Sequence, residues 1–139
     1  MRRVELDIGN SLDEIPGLAD WVEAFGEDHD LPPKLVFQLN LALEELVTNI
    51  VCHAYADDLP HRIKVSLALE DGAVAAEIED DGRPFDPFAE APVPDLEQAL
   101  DDRPIGGLGV HLIRSFMAEV GYRRDGERNL VRLRARTGP

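Results

Sequence analysis

The sequence has one cysteine, Cys52, so no disulfide can form within the chain, which fits a reducing compartment. It has no run approaching the roughly 18 consecutive apolar residues that span a bilayer. Its opening, MRRVELDIGN, lacks the apolar stretch of a signal peptide. A cytoplasmic protein with no membrane role is the expectation. Positive charge is scarce too: 14 Lys and Arg face 28 Asp and Glu, a formal net charge of -14. Such a surface repels a phosphate backbone at long range, which argues against direct nucleic-acid binding. The acidity serves either solubility or a partner with a basic surface. What remains is ordinary: 139 residues, 44% hydrophobic and 30% charged, the size and balance of one domain covering 1–139.

Periodicity divides the chain. Val4, Leu6 and Ile8 alternate as in a half-buried strand. Asn10 or Ser11 can cap the next helix, on which Ile15, Leu18, Val22 and Phe25 recur at helical spacing up to Gly26, with Trp21 and Val22 packing inward. Pro32 and Pro33 suit the start of a second helix, marked by Leu35, Leu39, Leu43, Leu46, Val47 and Ile50 and running to about Tyr55. Ile63, Val65, Leu67 and Leu69 then alternate, Asp71-Gly72 makes a tight turn, and Val74, Ala76 and Ile78 return on the buried face. By that parity Asp80 faces the core. Residues 83–105 are rich in proline and acid and read as a long loop, a lid, with one helical turn near Leu96 to Leu100. A helix with Val110, Leu112, Ile113 and Phe116 follows, and two strands joined at Asp125-Gly126 close the chain.

Three elements carry candidate chemistry. Glu45 and Asn49 stand four residues apart, on one stripe of a helix that is otherwise apolar, and His53 extends it. Alone, such a stripe is equally a solvated face. Asp80-Asp81-Gly82 ends a core strand with a carboxylate suited to an adenine amino group and a glycine that lets a flat ligand approach, although a strand-end turn reads the same way. Gly106, Gly107, Leu108 and Gly109 precede a helix, where free N–H groups and the helix dipole favour phosphate. The run lacks the Lys-Ser/Thr of a P-loop and does not follow a strand as a dinucleotide motif does.

Taken together, EELVTNIVCHAY, IEDDGRPFDP and RPIGGLGVHLIRSFMAEV, in that order and spacing, resemble the RsbW/SpoIIAB-type anti-sigma serine kinases. That family lies within the ATPase/kinase superfamily of DNA gyrase and histidine-kinase catalytic domains. The resemblance spans nearly the whole chain. It implies a two-layer α/β sandwich of the Bergerat ATP-binding type, with a mixed, mainly antiparallel sheet covered by helices on one face. It implies Mg2+ and ATP as cofactors, with Asn49 as the metal ligand and Glu45 as the general base. Asp80 and Gly82 match the adenine-reading pair, and Gly107 and Gly109 the glycines beside the phosphates. His53 approaches the phosphates or caps its helix; Arg103 clamps a phosphate at the lid hinge or stays exposed.

The partners so implied are a STAS-type anti-anti-sigma protein, phosphorylated on serine, and a sigma factor, with the chain acting as a homodimer. Two other readings stand beside it: an ATP-binding module that sequesters a partner without phosphotransfer, and a histidine-kinase catalytic domain. No phosphoacceptor helices precede the motifs, which disfavours the latter. His29 and His61 read as surface loop residues, and Cys52 as a buried thiol.

Overall fold

A computed structural model describes residues 2–55, 57, 59–90 and 107–137. The first strand, β1 (Arg2–Gly9), leads into a single 3-10 turn (Leu12–Glu14), whose N-cap is Ser11: its Oγ accepts from the Asp13 N–H. Helix α1 (Ile15–Asp28) follows and runs two residues past Gly26. It buries Leu18, Val22 and Phe25, with Trp21 packed at the edge of the core.

Helix α2 (Pro33–His53) is the centre of the molecule. Leu39, Leu43, Leu46, Val47 and Ile50 are almost wholly buried. By length and composition α2 could cross a membrane. Here its apolar face lies on a protein core, and truncating any one of those leucines to alanine would cost about 2–5 kcal/mol.

Four further strands complete the sheet: β2 (Arg62–Glu70), β3 (Ala73–Asp80), β4 (Glu119–Asp125) and β5 (Arg128–Arg136). Their order is β1-β2-β3-β5-β4, and all four pairings are antiparallel. The mixed character expected of the sheet is therefore not seen among the described residues. The reason is topological: the crossover from β3 to β4 would make a parallel pair, but β5 folds back and inserts between them. The β4–β5 turn is Gly126-Glu127, one residue later than expected, and puts Gly126 at a φ of 60°, where a side chain would be strained.

Between β3 and β4 lie one helical turn, α3 (Pro87–Glu90), and helix α4 (Gly107–Phe116). The helical turn expected at Leu96 to Leu100, and most of the lid, fall outside the described residues. Helices α1, α2 and α4 cover one face of the sheet, and Ile63, Val65, Leu67, Ile78, Val131 and Leu133 meet them there. The opposite face carries ion pairs between neighbouring strands, such as Lys64 with Glu79 and Arg132 with Glu77. This two-layer α/β arrangement is the sandwich the motifs imply.

Candidate functional site

Glu45 and Asn49 occupy successive turns of α2. Asn49 is 5% exposed, and its Nδ2 is buried without a hydrogen-bond partner among the described residues. Glu45 Oε1 is buried and unpartnered in the same sense. Burial pushes the Glu45 carboxyl above its ordinary value, and the Asn49 amide pulls it part of the way back. Apart from that mutual attraction neither buried atom completes a hydrogen bond, which is costly in a packed interior. Asn49 Nδ2 calls for an acceptor and Glu45 Oε1 for a donor, which a phosphate oxygen and a hydroxyl or water would supply; a cation would take the Asn49 amide oxygen instead.

His53, at the end of α2, is exposed, and its ring lies 5.9 Å from that of the buried Phe85. Its carbonyl accepts from Arg83 Nε at 2.9 Å, so the end of the helix is capped by that arginine.

Asp80 ends β3 with its side chain 1% exposed, on the face that strand parity requires. Its Oδ2 accepts from the Gly82 N–H at 2.9 Å and from Asn129 Nδ2 at 3.0 Å. Burial raises the Asp80 carboxyl above its usual range; those two bonds oppose the rise without cancelling it.

Gly82 needs to be glycine for a reason the motif does not suggest. A Cβ there would stand 2.5 Å from the Ala54 carbonyl oxygen and 2.9 Å from Asp80 Oδ2. The close approach is therefore to the end of α2, and the Arg83 N–H donates to that same Ala54 carbonyl at 2.8 Å.

The residue that sequence reasoning missed is Asn129. It is 1% exposed and joins five partners. Its Nδ2 donates to Asp80 and to the Arg83 carbonyl, and its Oδ1 accepts from the Phe85 N–H, Tyr122 Oη and Arg124 Nη1. Arg124 also donates to the Gly82 carbonyl at 2.7 Å. The signal was available as parity, since Asn129 precedes Val131, Leu133 and Ala135 on the helix-facing side of β5.

Gly107, Leu108 and Gly109 form the first turn of α4; nothing further is described of the Leu108 side chain. Arg103 and Gly106 lie outside the described residues. Two expectations about other residues change. Cys52 is exposed, because it sits where the end of α2 turns its outer face to solvent, opposite the buried Ile50 and Ala54. His61 is part-buried and paired, as set out further on. A cleft of about 560 Å3 between α1 and the start of α2, lined in part by Leu31, Val36 and Phe37, shares no residue with the site.

An antiparallel sheet under three helices, with polar residues projecting from the core helix and an acidic strand end beside it, defines an ATPase-type nucleotide-binding domain. Consistent with this, residues 8–135 match the histidine kinase-like ATPase domain, and the chain belongs to that family. It is 36% identical over 112 residues to the serine/threonine-protein kinase BtrW of Bordetella bronchiseptica, covering 80% of this chain and 78% of that protein. It is 28% identical over 106 residues to the anti-sigma F factor of Geobacillus stearothermophilus, covering 71% of this chain and 67% of that one. In fold it is similar to a crystal structure of the RsbU and RsbW domains of a Mycobacterium tuberculosis protein. That match has a TM-score of 0.71 at 17% identity and covers 98% of this chain, though this chain spans only 32% of the other.

Proposed function

We propose that the chain is a Mg2+- and ATP-dependent protein serine kinase and anti-sigma factor. In this reading it phosphorylates a STAS-type antagonist, sequesters a sigma factor, and works in the cytoplasm as a homodimer. Family membership implies ATP binding. The kinase and anti-sigma output is supported by the names of the relatives. The observation that carries the chemistry is the pair of buried, unpartnered polar atoms on Glu45 and Asn49, one turn apart.

Each residue has a defined task. Asn49 would hold the metal through its side-chain oxygen, a single protein ligand being enough for Mg2+, which retains several waters. When bound, the ion neutralises charge developing on the transferred phosphoryl group. Asp80 accepts from the adenine amino group, its other donors being fixed by Asn129 and Gly82. Glu45 accepts the serine hydroxyl proton as that oxygen bonds to the γ-phosphorus and the bond to the β-phosphate oxygen breaks, leaving ADP. Its raised pKa makes the carboxylate a stronger base than an exposed glutamate. The N–H groups of Gly107 to Gly109 at the start of α4, with that of Gly106 before them in sequence, receive the phosphates, with Arg103 as an added clamp and His53 at their margin.

The test uses labelled ATP, Mg2+ and the STAS proteins of the same genome. Label transfer should reach one of them on serine and fall about 100-fold or more in Glu45→Ala, the size of effect expected for a general base. ATP binding without transfer to any STAS protein would replace the kinase by a nucleotide-dependent sequestering module.

A further inference from the structure

One side chain, His61, ties the connection between α2 and β2 to the end of β3. Its Nε2 lies 2.7 Å from Asp57 Oδ1 and its Nδ1 3.2 Å from Asp81 Oδ1. Its ring stacks on Tyr55, with centroids 4.3 Å apart and planes 17° from parallel. A neutral imidazole has one N–H and one lone pair, so it can donate to only one of the two carboxylates and must turn its lone pair toward the other. Only the imidazolium donates to both.

The backbone of His61 is held independently of the ring. Its N–H donates to Asn10 Oδ1 at 3.0 Å, and the Asn10 N–H donates to its carbonyl at 3.1 Å. Replacing the ring therefore leaves the path of the chain anchored. Among the described residues, the charged groups facing the ring are Asp57 from the connection and Asp81 from the end of β3. The end of β1 contributes only the neutral Asn10, and the end of α2 the phenol of Tyr55. That phenol is pushed upward by burial and then by Asp80, Asp81 and Asp57, a further sign that these carboxylates converge here.

Asp81 lies between Asp80, which accepts from the Gly82 N–H, and Gly82, which is wedged against Ala54. Peptide planes are rigid, so displacing Asp81 displaces both neighbours. Resting on the nucleotide reading above, we propose that His61 is a positioning residue of the nucleotide pocket. Its imidazolium clamps Asp57 to Asp81 and fixes the Asp80–Gly82 corner, so that affinity for ATP depends on a proton carried outside the pocket.

The direction of the pH dependence follows. The hydrogen bond to Asp57, and secondarily that to Asp81, holds His61 above its ordinary value, and the same bond lowers Asp57. A raised histidine keeps its clamp below the ordinary value of about 6.5 and loses it as pH rises through the raised one. Affinity for ATP should therefore decline on the alkaline side. Reciprocally, bound ATP should raise the titration point of the ring by the logarithm of the same factor.

The experiment measures the Mg2+-ATP dissociation constant of the full chain by calorimetry from about pH 6 to about pH 9, for wild type, His61→Gln and Asp57→Asn. NMR follows the ring of His61 in wild type and Asp57→Asn. Wild-type affinity should fall about 3–10-fold toward alkaline pH, a change equal to about 0.5–1 unit of pKa linkage. His61→Gln should bind weakly at the acid end and lack that fall. Asp57→Asn should lower the titration point of the ring and move the fall to lower pH. Titration of the ATP phosphates is common to all three proteins. Parallel profiles in wild type and His61→Gln, or a ring titrating at or below the ordinary value, would overturn this inference alone. Absence of ATP binding by the wild type at every pH would overturn the nucleotide reading together with it.

Discussion

The two ends of the site are built in opposite ways. At the strand end, Asp80 is buried but braced by Gly82 and Asn129, and Asn129 in turn is bonded on both its oxygen and its nitrogen. At the helix end, the buried Asn49 and the half-buried Glu45 each carry a buried polar atom that completes no hydrogen bond among the described residues. The braced end contributes stability and a fixed shape. The unbraced end costs stability and holds its free valences for chemistry. A binding subsite and a reacting subsite thus differ in how completely the protein itself satisfies them.

This contrast can be broken at the ligand first. Asp80→Asn removes the charge that is to accept the adenine amino group, and a hydrogen bond to a charged group contributes about 1.5–3 kcal/mol. ATP affinity measured by calorimetry should fall about 10- to 100-fold. Unchanged affinity would place adenine elsewhere.

An effect of similar size is expected in the unliganded protein. Asn129→Ala leaves the Phe85 N–H and Tyr122 Oη without their acceptor and Asp80 without one of its two donors, an expected loss of about 2–3 kcal/mol. Chemical denaturation should show that loss at constant slope. The smallest effect has the opposite sign. Because burial raises the Glu45 carboxyl, the folded state holds its proton more tightly than the unfolded one, so stability falls as pH rises through the raised value. Glu45→Gln removes that cost and should raise the melting temperature by about 1–3 °C at neutral pH, while abolishing transfer. A lowered melting temperature would mean that Glu45 is braced after all.

Much of this contrast is legible in the sequence, and the rest is not, for definable reasons. Strand parity from Ile78 put Asp80 inside, and helical spacing put Glu45 and Asn49 on one stripe, because both inferences use only local geometry. The same parity applied to β5 places Asn129 beside Val131, but a lone asparagine near a turn has an ordinary local explanation, and its partners Asp80, Arg83 and Phe85 come from a distant segment. The pairing of His61 with Asp81, just past the end of β3, escaped for that reason too, although Asp57 is only four residues from the ring. Cys52 was misplaced because the expectation rested on the usual burial of a free thiol, whereas its place on α2, opposite the buried Ile50 and Ala54, turns it to solvent. The insertion of β5 between β3 and β4 is likewise a property of chain routing that no local pattern encodes.

The contact between Ala54 and Gly82 sets a limit on substitution as well as a shape. The helix carrying the proposed base and metal ligand touches the corner carrying the adenine aspartate through two residues with almost no side chain between them. A side chain at position 82 would strike the Ala54 carbonyl, a backbone oxygen that no substitution at position 54 removes. Position 82 is therefore closed to side chains by the fold itself, whether or not a nucleotide is bound.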